Sequence, residues 1–294
     1  MRLLAPAKIN LHLRVAPADG SGFHPILSWM CTVALFDTLT IEPANALALT
    51  CDDPRLPCDA TNLVLRAARS FKPERSDGPD SFGAKIHLQK RIPFGAGLGG
   101  GSSDAARTLL GLDQLWNSRR TTAQLSSTAA DLGSDVPFFL HGPSSVCSGR
   151  GEIIKKISPP KPKAAVLILC NDLIATPAVY RRFDDMRLGD RAAIADEPDW
   201  QQWTDLSAGP LLKKLVNDLE PPAMALCPQL GKLRDEIENL LARPVRMSGS
   251  GSSLFTLFDE MSEANAAVDR MGTRRELRVL AVNIAPVLED DLKK

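Results

Sequence analysis

A glycine-rich stretch at residues 93–103, which reads PFGAGLGGGSS, constrains the fold of this chain more than any other feature. Residues 84–89 before it alternate as in a β-strand, and residues 104–116 after it carry leucines at helical spacing. Glycines let backbone N–H groups converge on one point, and the first turn of a helix adds partial positive charge there. The stretch therefore predicts an anion site, most often for phosphate, with residues 102–104 able to cap the helix.

Other glycine motifs fit the stretch less well. Gly95, Gly97 and Gly100 match the dinucleotide pattern G-x-G-x-x-G, but no second parallel strand ending in an acid follows the helix. A Walker loop needs Gly-Lys-Ser/Thr, and a protein-kinase loop needs downstream HRD and DFG motifs, none of which is present. A tightly packed glycine turn without a ligand is the structural alternative. Three consecutive glycines at a helix entrance favour phosphate binding over it.

The length of 294 residues predicts two domains, because it is enough for two hydrophobic cores. The composition is that of an ordinary globular enzyme, and we expect the protein to be cytoplasmic. Lys plus Arg equals Asp plus Glu at 35 each, and aromatic residues make up only 5%, which argues against nucleic acid as a partner. We find no signal peptide and no apolar run of membrane-spanning length. The six cysteines are scattered without a C-x-x-C pair, which predicts reduced thiols and no metal site.

Three further segments predict local structure near a site. Residues 7–15 alternate strictly, which predicts a strand with Lys8 and Asn10 on its polar face; a solvated face is the usual explanation for such residues. Asp135 follows a helix stop at Gly133 and fits a helix N-cap, a role that does not exclude catalysis. Thr176 is predicted to cap a helix whose first position is proline.

A proline-rich segment at residues 158–163, SPPKPK, is the clearest linker by composition. We therefore expect one domain over residues 1–158 and a second over residues 159–294. In the second domain, residues 164–170 predict a buried strand. The run SGSGSS at residues 248–253 fits a plain turn between two strands.

Taken together, five blocks of the sequence resemble the GHMP small-molecule kinase superfamily. They are PAKINLHLRV, GFH followed by MCTVALFDTLTI, PFGAGLGGGSSDAA, DLGSDVPFFLHG and MSGSGSSLF, in the family's order over residues 6–255. A galactokinase would carry a GEHTDY-type stretch after the first strand, and none is present. Within the superfamily, the blocks closely resemble the members that act on a methylerythritol linked to cytidine diphosphate.

The resemblance implies an α+β fold of two domains, the first like ribosomal protein S5 and the second a ferredoxin-like α/β domain. It implies an enzyme that uses ATP and Mg²⁺ to phosphorylate the 2-hydroxyl of the cytidylylated methylerythritol, in the non-mevalonate route to isoprenoid and terpenoid precursors. ATP would bind to the first domain and the substrate in the cleft between the two. The protein would be a monomer or a homodimer.

The resemblance also assigns residues to roles. Lys8 and Asp135 match the catalytic pair, in which Asp135 would accept the proton of the alcohol and Lys8 would stabilise negative charge near the attacking oxygen. No protein ligand of the metal follows. The nucleotide site would comprise Asn62, Leu63, Pro93, Phe94, Gly95, Ala96, Gly97, Leu98, Gly99, Gly100, Gly101, Ser102 and Ser103. The substrate site would comprise Asn10, Phe23, His24, Asp135, Thr176 and Tyr180.

Some positions depart from the family pattern around the expected cytidine pocket. Phe23 stands where tyrosine is usual, so a hydroxyl contact is lost while ring stacking on cytosine is kept, and Pro25 replaces a usual acid. Trp29 and Cys31 are also atypical. The departures at Phe23 and Pro25 leave open a GHMP kinase for a different alcohol. A catalytically silent binding protein with this fold is a second alternative, against which the intact Lys8 and Asp135 argue, and a dinucleotide oxidoreductase is a distant third.

Overall fold

The computed structural model describes residues 1–71, 83–170, 174–272 and 277–292, and in these ranges it confirms the α+β class. None of the helices described has the length and hydropathy that crossing a bilayer requires. The strands are β1 (Arg2–Val15), β2 (Ile26–Ala44), β3 (Ala48–Cys51), β4 (Gly83–Gln89), β5 (Ser144–Gly149), β6 (Ile153–Lys156), β7 (Ala164–Cys170), β8 (Arg246–Met247), β9 (Leu254–Phe258) and β10 (Leu277–Asn283). The helices are α1 (Leu63–Ser70), α2 (Gly100–Leu115), α3 (Thr122–Leu132), α4 (Phe138–His141), α5 (Thr176–Asp185), α6 (Arg191–Ala195), α7 (Trp200–Thr204), α8 (Ala208–Lys214), α9 (Glu220–Leu226), α10 (Pro228–Leu241) and α11 (Met261–Met271).

The first sheet is built around the long strand β2, which pairs antiparallel with β1, β4 and β5. The strand predicted over residues 84–89 is confirmed as β4. Helix α2 begins at Gly100, four residues earlier than predicted, because Gly99 adopts a φ of 68° and turns the chain directly into the helix. Residues 102–104 therefore lie inside α2, and the prediction that they cap it was wrong.

The second sheet has the order β10-β7-β9-β8 and is antiparallel throughout. The buried strand predicted over residues 164–170 is confirmed as β7, and residues 248–253 connect β8 to β9. The cap of α5 is Ala175 rather than Thr176, which is already the first helical residue. The predicted boundary after residue 158 falls between β6 and β7, in a segment without helix or strand, and stays a prediction.

Three hydrophobic clusters show how the layers stack. One lies between the first sheet and helices α1–α3, one lies between the two sheets, and one lies between the second sheet and helices α5 and α9–α11. Both faces of β1 are covered as a result. Lys8 and Asn10 are each only 3% exposed, so the expectation of a solvated strand face was wrong.

A register shift in β1 decides which way Lys8 and Asn10 point. Leu3 and Ala5 pack in the cluster beneath helices α1–α3, whereas Ala7 and Ile9 pack between the sheets. The pairing of β1 with β2 is irregular between Pro6 and Ala7, where the partner in β2 changes from Phe36 to Val33, and the two faces of β1 exchange at this point. Lys8 and Asn10 alternate with Ala7 and Ile9 along the strand. Their side chains therefore point toward the helical side of the first sheet.

The C-terminal segment at residues 284–292 returns from the second sheet to the first. The Asp291 N–H donates a hydrogen bond to the Arg2 carbonyl at 3.1 Å, and the Leu4 N–H donates to the Asp290 carboxylate at 3.1 Å. Asp290 also pairs with Arg107 on α2, and the two side chains are only 5% and 8% exposed. This buried pair ties the C-terminal segment to the helix that follows the glycine-rich stretch.

We predict that Asp290→Ala lowers the free energy of unfolding by about 3 kcal/mol, because it leaves the buried Arg107 guanidinium without its carboxylate. Urea denaturation measures the change. Asp235→Ala is the matched control: Asp235 makes an exposed pair with Arg234, and its loss should cost less than about 1 kcal/mol. Equal effects of the two substitutions would show that the pair with Arg107 does not stabilise the fold.

Candidate active site

A cavity of about 1070 Å³ opens between the glycine-rich stretch, β1, the turn before α4, and α5. Most residues predicted for the nucleotide and substrate sites line it. Two do not: Leu98 and Ser103 are fully buried and point into the protein. The predicted residues that line the cavity are Lys8, Asn10, Phe23, His24, Asn62, Leu63, Pro93, Phe94, Gly95, Ala96, Gly97, Gly99, Gly100, Gly101, Ser102, Asp135, Thr176 and Tyr180.

The glycine-rich stretch presents backbone amides to this cavity. Gly95, Gly97 and Gly99 have φ values of 67°, 75° and 68°, which side chains with a Cβ rarely adopt. Helix α2 begins immediately afterwards, and residues 99–102 line the cavity. The first N–H groups of a helix have no partner within it and carry partial positive charge. This end of the cavity is therefore suited to an anion such as phosphate.

The turn between β8 and β9 holds the glycine-rich stretch in place. The Ser248 hydroxyl donates a hydrogen bond to the Gly97 carbonyl at 2.9 Å and accepts one from the Asn10 N–H at 3.2 Å. The Ser253 N–H donates to the Ala96 carbonyl at 3.2 Å. A Cβ atom on Gly97 would lie 2.2 Å from the Ser248 carbonyl oxygen, so only glycine allows this approach. Residues 248–253 are thus both a strand connection, as predicted, and a support for the site.

Lys8 and Asp135 meet in the cavity, with Nζ and Oδ2 3.4 Å apart. The Lys8 ammonium also donates a hydrogen bond to Asn10 Oδ1, and Asn10 Nδ2 donates to the Ser28 hydroxyl at 2.8 Å. These contacts hold the buried ammonium at a fixed position. Asp135 lies in the turn that precedes α4, whose cap residue is Pro137, so the prediction of an N-cap at Asp135 was wrong. Its carboxylate faces Lys8 instead.

A second buried ion cluster supports the glycine-rich stretch and was not predicted. Lys90 Nζ lies 2.8 Å from Asp104 Oδ2 and also pairs with Asp37, and Lys90 and Asp104 line the cavity. Burial raises the pKa of Asp104 to about 7, against the opposing charge of Lys90. The sequence carries no local signal for this cluster, because its members come from β2, from the end of β4 and from α2.

Aromatic rings line a further part of the cavity. The His24 ring lies 4.9 Å from that of Tyr180, and its Nε2 is 2.8 Å from Asp184 Oδ1. Phe23 is half exposed, and the Arg150 guanidinium lies 4.8 Å from its ring centre. Burial raises the pKa of Tyr180 to about 12, which keeps its phenol protonated at neutral pH. Asp184 and Arg150 were not predicted, since neither belongs to a recognisable motif.

Two other predicted residues hold local structure at the rim. Asn62 is the N-cap of α1, where its Oδ1 accepts a hydrogen bond from the Val64 N–H at 2.9 Å. The Thr176 and Ser250 hydroxyls are 2.7 Å apart, which joins α5 to the turn between β8 and β9. In the part of the chain that the structure describes, we find no group of three His, Cys, Asp or Glu side chains placed to hold a metal ion.

Contacts between neighbouring residues show which parts of the cavity lie next to each other. A Cβ atom on Gly99 would lie 3.0 Å from the Lys8 side chain, and Lys8 pairs with Asp135. Ser134 lies beside Gly151, and the preceding Arg150 lies over Phe23. The Lys8–Asp135 pair therefore lies between an anion site and a group of aromatic rings. In this arrangement, Asp135 can accept a proton from the hydroxyl group of a molecule that binds between the anion site and the aromatic rings.

Models of two protein families match the chain. Residues 62–143 match the GHMP kinases N terminal domain, and residues 204–275 match the GHMP kinases C terminal domain. The solved structure of a homoserine kinase from Cytophaga hutchinsonii has a TM-score of 0.67 to this chain and covers 98% of it, at 16% identity. At that identity the similarity shows the fold alone, which is the predicted two-domain GHMP kinase fold.

Other relatives are much more similar in sequence. The 4-diphosphocytidyl-2-C-methyl-D-erythritol kinase of Synechococcus sp. (strain CC9605) is 40% identical over 287 residues, which cover 92% of each chain. The enzyme of that name from Salinibacter ruber is 38% identical, over 92% of this chain and 94% of its own. A crystal structure of 4-(cytidine 5'-diphospho)-2C-methyl-D-erythritol kinase has a TM-score of 0.76 at 34% identity, and the match covers 98% of this chain and 100% of that one. The chain therefore belongs to the 4-diphosphocytidyl-2-C-methyl-D-erythritol kinase family of the GHMP kinases.

Proposed function

We propose that this chain transfers the γ-phosphoryl group of ATP to the 2-hydroxyl of 4-diphosphocytidyl-2-C-methyl-D-erythritol and releases ADP. This reaction is the kinase step of the non-mevalonate route to isoprenoid precursors. The observation that carries the proposal is the 3.4 Å pair of Lys8 and Asp135, which lies between the amides of the glycine-rich stretch and the aromatic rings. A cytoplasmic location and a monomer or homodimer stay predictions.

The glycine-rich stretch would bind the triphosphate of ATP. Phosphoryl transfer demands little covalent chemistry from the protein, so catalysis depends on positioning and on stabilising charge on the phosphoryl oxygens. Backbone amides of residues 95–102 would supply that stabilisation. Asn62 and Leu63, which line the same cavity next to Gly101, would contact the adenosine.

Asp135 would act as the general base at the acceptor hydroxyl. As the 2-oxygen bonds to the γ-phosphorus, the bond from that phosphorus to the bridging oxygen of ADP breaks, and the hydroxyl proton passes to the Asp135 carboxylate. Lys8 would stabilise the negative charge that develops near the attacking oxygen. Asn10 contributes by holding the Lys8 ammonium in place.

The proposal includes Mg²⁺ as the partner of ATP. The ion prefers oxygen ligands and usually keeps several waters, so it needs few side chains when phosphates are present. Ser102 lies in the first turn of α2 and lines the cavity, so its hydroxyl would supply one such oxygen ligand. Once bound, the ion neutralises phosphate charge.

The experiment that tests the proposal is a panel of alcohol acceptors with purified protein, ATP and Mg²⁺, with ADP release as the readout. We expect the cytidylylated methylerythritol to exceed mevalonate and homoserine in kcat/KM by at least about 10³-fold, because a site built to pair polar groups rejects ligands that lack them. Preference for another alcohol would mean a different GHMP kinase, and no turnover with any acceptor would mean a silent binding protein.

Asp135→Asn should lower kcat by about 10²–10⁴-fold, because it removes the group that accepts the proton, and should leave ATP affinity nearly unchanged. Steady-state kinetics and titration with a fluorescent ATP analogue measure the two quantities. Asp131→Asn, a nearby change at an exposed carboxylate of α3, is the control and should retain full activity. Undiminished turnover in Asp135→Asn would remove this residue as the base.

A further inference from the structure

The orientation of the His24 ring is held by three side chains of α5. Tyr180 lies against the ring at 4.9 Å with an interplanar angle of 43°, and Phe183 meets its edge at 5.7 Å. Asp184 Oδ1 lies 2.8 Å from His24 Nε2. Only 9% of the His24 side chain is exposed, so the ring cannot rotate freely. It nevertheless lines the cavity together with Phe23.

The contact with Asp184 decides which ring nitrogen can donate a hydrogen bond. An ionised carboxylate only accepts hydrogen bonds, so His24 Nε2 must carry a proton. In a neutral imidazole the other nitrogen, Nδ1, is then an acceptor. With Nε2 committed to Asp184, Nδ1 is the nitrogen that remains for a ligand in the cavity. His24 therefore offers an acceptor to whatever binds beside it.

We infer that Asp184 is a positioning residue that makes this site select cytosine over uracil. The inference rests on the proposed function and on the predicted substrate site, which places the base of the substrate beside Phe23, His24 and Tyr180. Cytosine carries an amino group at its 4-position, which donates hydrogen bonds, whereas uracil carries a carbonyl oxygen there, which only accepts them. An acceptor at His24 Nδ1 can accept a hydrogen bond from the amino group of cytosine. The carbonyl oxygen of uracil would instead face the lone pair of Nδ1.

Removing Asp184 should abolish this preference without affecting the chemical step. In Asp184→Ala, His24 can take either tautomer and can turn a donor toward the base. We expect the ratio of kcat/KM for the cytidine-linked substrate to that for a uridine-linked analogue to fall by about tenfold, the value of one hydrogen bond. The loss should lie in KM for the cytidine-linked substrate, with kcat and KM for ATP nearly unchanged.

Two variants make the comparison specific. Asp184→Asn offers Nε2 either an amide oxygen or an amide N–H, so it no longer fixes the tautomer and should give a ratio between those of the wild type and Asp184→Ala. Asp185→Ala removes the adjacent exposed carboxylate of the same helix and should leave the ratio at the wild-type value. A ratio that is the same in the wild type and in Asp184→Ala would overturn the inference, as would an equal loss in Asp185→Ala.

A spectroscopic measurement tests the tautomer in the wild-type protein, so the inference does not depend on the folding of a variant. The chain has four histidines, and the signals of His24 can be assigned by comparison with His24→Gln. In ¹⁵N-labelled protein at pH 8, we expect the His24 ring to be protonated at Nε2 and unprotonated at Nδ1. A proton on Nδ1 would contradict the inference.

The same kinetic series separates this inference from the proposed function. If the wild-type protein does not phosphorylate the cytidine-linked substrate, then the proposed function fails. If the wild-type protein turns that substrate over but does not distinguish it from the uridine-linked analogue, then the proposed function stands and the role of Asp184 fails.

Discussion

The hydroxyl group of Ser248 joins the glycine-rich stretch to β1, in addition to the direct hydrogen bond from the Lys8 N–H to the Leu98 carbonyl at 2.9 Å. It donates to the Gly97 carbonyl and accepts from the Asn10 N–H, so a turn of the second sheet fixes two segments of the first. Asn217 holds that turn in place, because its side-chain amide donates to the Met247 and Gly249 carbonyls at 2.8 Å each. The glycine-rich stretch and the strand that carries Lys8 are therefore held to each other directly and through the same turn of the second sheet.

Helices and the second sheet bury both faces of β1, so the polar residues of this strand, which pairs with β2 in the first sheet, are enclosed in the protein. An ammonium in a buried position needs partners, and Lys8 finds them in Asn10 and Asp135. Lys90 is satisfied in the same way by Asp37 and Asp104. Both ammonium groups lie beside the entrance of α2, where Lys8 is next to Gly99 and Lys90 is next to Gly100, and their carboxylate partners hold them in fixed positions.

The sequence was sufficient to predict features that depend on local chemistry. Three consecutive glycines before a helix pattern predicted the anion site, and alternation in residues 84–89 and 164–170 predicted β4 and β7. It was not sufficient where the outcome depends on long-range packing. The register shift at Ala7, the pairing of Lys90 with Asp104, and that of His24 with Asp184 join segments that no local pattern connects. The start of α2 was also not predictable from side chains. Residues 102–104 favoured a side-chain cap, but the positive φ of Gly99 starts the helix without one.

The central claim is that one cavity brings the γ-phosphoryl group, the acceptor hydroxyl and the Lys8–Asp135 pair together. A crystal structure with a non-hydrolysable ATP analogue and the cytidylylated methylerythritol tests it most directly. The account predicts phosphate oxygens within hydrogen-bond distance of the amides of residues 95–102, and the 2-hydroxyl within about 3.2 Å of an Asp135 oxygen. A triphosphate bound away from these amides, or a 2-hydroxyl out of reach of Asp135, would contradict it.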